Sequence, residues 1–185
     1  MDDQRAGKQT LHIHDSEAEP SMPHRTKSVI GRKLEFDKTF QPCPAEAGDE
    51  LYPNGIFEFN ITRLLAFVET HVERFPIERV EVVDLFDYGG EHLDEGAIRT
   101  ADLFRPILLA EISPGLFSLI DGHHRVAKAR RDGVRALPAY RVACPHHVQF
   151  LTSTRAYERY VEYWNEKLRR SERMNREPSE SARLD

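Results

Sequence analysis

The sequence predicts an α+β domain: a small mixed sheet with packed helices, an amphipathic helix ahead of it and a long helix behind it. Three observations predict this. Residues 61–74 place Ile61, Leu64, Leu65, Val68 and Val72 on one helical face. Residues 106–120 read as two short apolar runs around Ser113-Pro114-Gly115, which is a hairpin pattern. A last helical stripe runs through Tyr157, Tyr160, Val161, Trp164 and Leu168.

Composition sets the outer bounds. The 185 residues carry 26 Lys+Arg against 31 Asp+Glu, a formal charge of −5. Apolar residues make up 39% and charged residues 31%, which fits one globular domain with polar ends and excludes a collagen or a wholly disordered chain. No apolar run approaches the roughly 18 residues of a membrane span. The opening MDDQRAGKQT has no apolar stretch and predicts no secretory signal. Two cysteines, Cys43 and Cys144, make no disulfide framework, so the expected setting is cytoplasmic. The acidic excess argues against a general nucleic-acid binder and leaves room only for a local basic patch.

Taken in order, residues 1–50 are expected to be a flexible N-terminal arm, 51–170 the folded domain with its flanking helices, and 171–185 a frayed tail. Within the arm, Leu34 and Phe36 alternate with charges and suit a short strand before Gln41-Pro42-Cys43-Pro44. Pro53-Asn54-Gly55 is a turn. Asn60 is a candidate N-cap for the 61–74 helix, which Pro76 stops. Val80, Val82, Val83, Leu85 and Phe86 suit a strand by their β-branched and aromatic character. Gly89-Gly90 ends it, and 93–103 reads as a short helix with Asp94 and Glu95 in its first turn. Pro106–Ile112 and Leu116–Ile120 form the hairpin, with Pro114 and Gly115 at the central positions of a type II turn. A short helix then runs to Arg131, with Gly133 as its C-terminal cap. Ala136–Val142 is a further strand, where Pro138 implies an edge or a strand start. The Tyr157–Leu168 stripe reads as core.

Chemistry concentrates at Asp121-Gly122-His123-His124-Arg125, where a buried strand runs into a helix start. The first amides of a helix lack internal partners and the helix dipole is positive there, so a phosphate meets ready donors. Gly122 lets the backbone approach closely. Arg125 suits bidentate binding of phosphate oxygens, and His123 and His124 can donate from the ring. Asp121 suits Mg²⁺, or the orientation of a histidine, or acceptance of a proton. The same residues also admit a plain structural account, with Asp121 as an N-cap and His123 and Arg125 solvated.

The order strand, short helix, strand hairpin, Asp-Gly-His-His-Arg, helix, glycine, strand resembles the ParB/sulfiredoxin fold. The stretch from Val80 to Val142, about a third of the chain, carries the resemblance. It implies that Gly122, His123, His124 and Arg125 bind the phosphates of ATP or another nucleotide. Sulfiredoxins carry a reactive cysteine where this chain has His123, which argues against their chemistry. Partition proteins of the ParB type continue into a helix-turn-helix region, whereas the chain after Val142 reads as one long helix. The motif is most similar to the branch containing free-serine kinases, which phosphorylate a small hydroxyl substrate with ATP or ADP. That likeness implies Glu91, or nearby Asp87, as general base, His124 with Arg125 on the transferred phosphate, and Mg²⁺ held near Asp121.

Other readings remain open from the sequence. Asp121, His123, His124, Cys144, His146 and His147 are possible zinc donors, although Cys144-Pro145-His146-His147 is a poor ligand spacing. Lys128, Arg130, Arg131 and Arg135 give the motif helix a basic side, as a nuclease or another DNA-associated protein of this fold would need. A phosphate cradle without a working base would make a nucleotide sensor, with an exposed Tyr157–Trp164 stripe as its partner face.

Overall fold

A computed structural model describes residues 32–55, 57–85 and 93–176. Among the described residues the architecture is mixed α+β, with two small sheets and four helices. A two-stranded sheet pairs β1 (Leu51–Asn54) with β2 (Phe57–Asn60). Helix α1 (Ile61–Thr70) follows directly, then β3 (Glu78–Glu81) and a 3₁₀ turn over Val82–Asp84. Next come α2 (Glu95–Thr100), β4 (Ile107–Ser113), β5 (Leu116–Asp121), α3 (His123–Arg131), β6 (Ala136–Val142) and α4 (Thr154–Arg176). The larger sheet has the order β3-β6-β4-β5, antiparallel except for the parallel pair β4–β6.

Strand alternation divides the core between the two faces of that sheet. Leu108, Ala110, Ile112, Ile120, Tyr140 and Val142 join the larger cluster with the β1–β2 hairpin, α1 and α4. Ile107, Leu109, Leu119, Leu137 and Ala139 join the smaller one with Val126 and Ala129 of α3. Because β4 is covered on both faces, it reads as a nearly unbroken apolar run. The expected hairpin is present, and Gly115 takes the positive φ (74°) that the second central position of its turn requires. The α4 stripe is core as expected: Tyr157, Tyr160, Val161, Trp164 and Leu168 are all buried, so it is no exposed partner face.

Several expectations are corrected. Residues 32–50 are tied to the folded domain, 32–40 along α4 and 43–50 to Leu151, Asn60 and the start of α1. Trp164 Nε1 donates to the Arg32 carbonyl (3.0 Å), Asn165 exchanges two 2.9 Å bonds with the Leu34 backbone, and the Tyr157 hydroxyl accepts from Asp37 N–H (2.8 Å). Phe40 stacks on Tyr157 at 4.0 Å. No strand forms at Leu34 and Phe36, and the Leu34 backbone is bonded by the Asn165 side chain of α4 rather than by another strand. Pro53 and Asn54 lie inside β1, and the turn falls at Gly55.

Asn60 caps α1 as expected, accepting from Arg63 N–H at 3.0 Å, but the helix ends at Thr70. There the Thr70 hydroxyl and His71 Nδ1 bond last-turn carbonyls and compete with the ladder. The strand expected from Val80 to Phe86 stops at Glu81, after which the chain curls into the 3₁₀ turn and leaves Val83 87% exposed. Helix α2 is shorter than expected and is capped by Asp94, which accepts from Ala97 N–H (2.7 Å). Strand β6 is interior rather than an edge. Pro138 is tolerated because the β4 register begins only at Ala139, so β3 alone flanks the proline. Helix α4 continues through Arg176, past the point where fraying was expected. Phe86, Asp87, Gly89, Gly90 and Glu91 lie outside the described residues. Among the described residues no helix is long and apolar enough to cross a membrane.

Candidate functional site

The site begins where β5 hands over to α3. Asp121 is the last residue of β5, paired in register with Leu108, and Gly122 turns the chain with φ 102°. Only glycine fits this turn. A Cβ on Gly122 would lie 2.6 Å from Ile107 Cγ2 and 2.9 Å from both Nε and Nη2 of Arg125. The structural alternative of Asp121 as N-cap does not hold, because Gly122 occupies the cap position. Gly122 contributes no capping side chain, whereas α1 and α2 have one each. The first ladder bond of α3 runs from Val126 N–H to the Gly122 carbonyl (3.0 Å), so the amides of His123, His124 and Arg125 precede the ladder.

Arg125 is the unusual member. It is only 8% exposed, its guanidinium packs on Gly122, and Nη2 donates to Asp121 Oδ2 at 2.7 Å. Its buried Nε has no hydrogen-bond partner. A buried guanidinium with an orphaned donor is costly unless a further acceptor arrives.

These residues floor a cleft of about 720 Å³. Asp121, Gly122, His123, His124 and Arg125 form one wall, and the structure thus brings together every expected residue of the motif. Glu50, Tyr52 and Pro53 around the start of β1, and Leu65 of α1, line the same cleft. Arg105 and the end of α2 complete the rim. His123 and His124 are half-buried, and the His123 ring lies nearly parallel to Tyr52, with 15° between planes and centroids 6.0 Å apart.

Glu50 is the carboxylate that sequence reasoning missed, since it fell within the expected arm. Its backbone is held at both ends by α1: its N–H donates to Thr62 Oγ1 (2.8 Å) and its carbonyl accepts from Ile61 N–H (2.9 Å). Burial pushes the Glu50 carboxyl above its ordinary range and the Asp121 charge adds to this, while Arg125, Arg105 and His124 pull the other way. Burial likewise raises the Tyr52 hydroxyl, which is therefore neutral at pH 7.

No family model matches the chain, and neither a curated protein nor a solved structure matches it.

The remaining candidates of the sequence lie elsewhere or are occupied. Glu91 and Asp87 are outside the described residues. The zinc set is dispersed, and no group of three or more His, Cys, Asp or Glu able to hold a metal exists among the described residues. His147 is fully buried, with Nε2 2.8 Å from the Tyr160 hydroxyl, and burial drives its pKa down to about 3. Burial and the nearby Glu111 push the Cys144 thiol up to about 12, the reverse of a metal-binding or reactive thiol.

The basic side of α3 is largely engaged. Lys128 Nζ donates to the Arg99 and Ala101 carbonyls at the end of α2 (3.1 and 3.2 Å), and Arg131 pairs with Glu95 at 3.0 Å. Arg130 donates to the Leu85 carbonyl. These ties fix α2 and the chain after β3 against α3, while Arg130, Arg131 and Arg135 stay exposed.

Proposed function

We propose that this chain is a ParB/sulfiredoxin-like protein that binds the phosphates of a nucleotide at the amino end of α3. The reaction this suits is phosphoryl transfer from a nucleoside triphosphate to a small hydroxyl acceptor. The single observation that carries the reading is Arg125. A guanidinium that lines the cleft at an uncapped helix start, with one donor paired to Asp121, supports an acceptor oxygen as the ligand. Phosphate oxygens supply such acceptors, and the amides of the first turn point the same way. The hairpin β4–β5, the motif helix and the returning strand β6 support the ParB/sulfiredoxin-like assignment through their order and connectivity.

Within this reading His124 and Arg125 hold the transferred phosphate, and Gly122 lets it approach the backbone. Asp121 engages Arg125 through Oδ2, so its other oxygen suits a Mg²⁺ that arrives on the nucleotide. Such an ion neutralises phosphate charge when bound. Glu50 lines the same cleft as the start of α3, and its raised pKa matches a proton acceptor for the attacking hydroxyl. That proton moves to the Glu50 carboxylate as the new O–P bond forms and the diphosphate leaves.

The test is a thermal-shift panel with ATP, ADP, CTP and GTP, each with and without Mg²⁺. A nucleotide at 100 times its Kd adds about 2.7 kcal/mol of stability, a shift of several degrees. Stabilisation that disappears in Arg125→Met is the expected result. No shift with any nucleotide at millimolar concentration overturns the reading.

A further inference from the structure

We propose that Tyr52, with His123 beside it, forms a ring-binding subsite in the cleft, where the purine or pyrimidine of a nucleotide lies while its phosphates meet the amino end of α3. The inference rests on the phosphate reading above and adds which other part of the ligand is recognised, and by what.

Tyr52 is well anchored for this. It stands in β1 opposite Phe59, a fully buried residue of the main core, and its ring packs partly against that cluster. Directly opposed residues of an antiparallel pair project to the same side of their sheet, so the buried Phe59 roots the tyrosine beside it. A rooted aromatic offers contact area at little cost in ordering.

The geometry then places a flat surface beside the phosphate donors. The Tyr52 and His123 rings are nearly parallel, yet their centroids are 6.0 Å apart, so neither ring covers the other fully. His123 is the first residue of α3, and Arg125 lies two residues further on. A ligand whose phosphates reach Arg125 therefore has its sugar and base directed along the wall that holds His123 and Tyr52. Pro53 and Leu65 extend that wall with apolar surface, which suits the face of a heteroaromatic ring better than it suits more phosphate. Stacking of this kind accepts any base, because every base presents a π face. The subsite therefore distinguishes nucleotides from bare polyphosphate more than it distinguishes one base from another.

Isothermal titration calorimetry on the full chain tests this, with ATP, CTP and inorganic tripolyphosphate as ligands in the presence of Mg²⁺. Both nucleotides are expected to bind about tenfold or more tightly than tripolyphosphate, the usual gain from one stacked base. Tyr52→Leu and Tyr52→Met are each expected to remove that margin while leaving tripolyphosphate affinity unchanged. Tyr52→Phe, which keeps the ring, retains the margin. Tripolyphosphate binding by each variant reports that its cleft has folded. Equal affinity of the unaltered chain for all three ligands overturns the subsite and leaves the phosphate reading standing, as does a margin that survives in both ringless variants. Failure of all three ligands to bind overturns both.

Discussion

Arg125 Nη2 lies 2.7 Å from Asp121 Oδ2, so an ion pair spans the Gly122 turn and joins the end of β5 to the first turn of α3. Both side chains are largely withdrawn from water, at 9% and 15% exposure. Removing one partner leaves the other charge poorly solvated. Arg125→Met is therefore expected to cost about 3 kcal/mol in urea unfolding and to abolish nucleotide stabilisation. The double variant with Asp121→Asn recovers part of the stability and none of the binding. Additive losses in the double-mutant cycle would show that the pair is not coupled.

Gly122→Ala tests the turn itself. The added Cβ meets Ile107 and the Arg125 guanidinium, and φ 102° is strained for any L side chain. The expected loss is about 2 kcal/mol or more, from backbone strain and overpacking together, read as a lower urea midpoint at unchanged slope. Nucleotide binding falls as well, since Arg125 must shift. A variant with unaltered midpoint and binding would contradict the close approach.

Glu50→Gln separates binding from transfer. Nucleotide affinity is expected to persist while phosphoryl transfer or hydrolysis is lost. The stability effect has a definite sign. A carboxyl whose folded pKa is raised stabilises the fold below its unfolded pKa, and that contribution is lost as pH rises through the folded value. The glutamine variant should thus melt at or above the temperature of the parent at pH 7, and the difference should close below about pH 4. A variant less stable than the parent at pH 7 would speak against the raised carboxyl.

His147 predicts acid sensitivity far from the cleft. It is buried and neutral, with its pKa lowered from 6.5 to about 3. The stability it contributes is complete above the unfolded pKa and is lost as pH falls from about 6.5 toward 3, at up to about 1.4 kcal/mol per pH unit for one proton. His147→Gln should flatten the unfolding free energy against pH between 6 and 4. An unchanged slope there would mean that other groups carry the acid response.

Local rules made much of this fold legible. Asn60 before an apolar stripe, Pro114-Gly115 between two apolar runs, and Gly133 after a helix each name an element end that the structure contains. Gly133 closes α3 with the paired bonds of a glycine cap, from Gly133 N–H to the Arg130 carbonyl and from Val134 N–H to the Ala129 carbonyl. The motif wall of the cleft was legible for the same reason, because Asp121 to Arg125 are contiguous. The rest of its lining was not. Glu50 and Tyr52 reach the cleft through contacts about seventy residues away in the chain, which no local period reports. One signal was available: Asn54-Gly55 between Tyr52 and Phe57 is a hairpin pattern. The packing roles of the basic residues of α3 were not legible either. Spacing puts them on a helix, but only the packed structure shows Lys128 capping α2 and Arg131 reaching Glu95.

The strap formed by residues 32–50 has a practical consequence for anyone who shortens this protein. A fragment trimmed to begin at Leu51 would keep the whole Val80–Val142 stretch yet strip the cover from Tyr157 and Trp164. Those rings would then form a sticky band along the terminal helix, and such a fragment would be expected to clump during expression rather than yield a minimal binding unit.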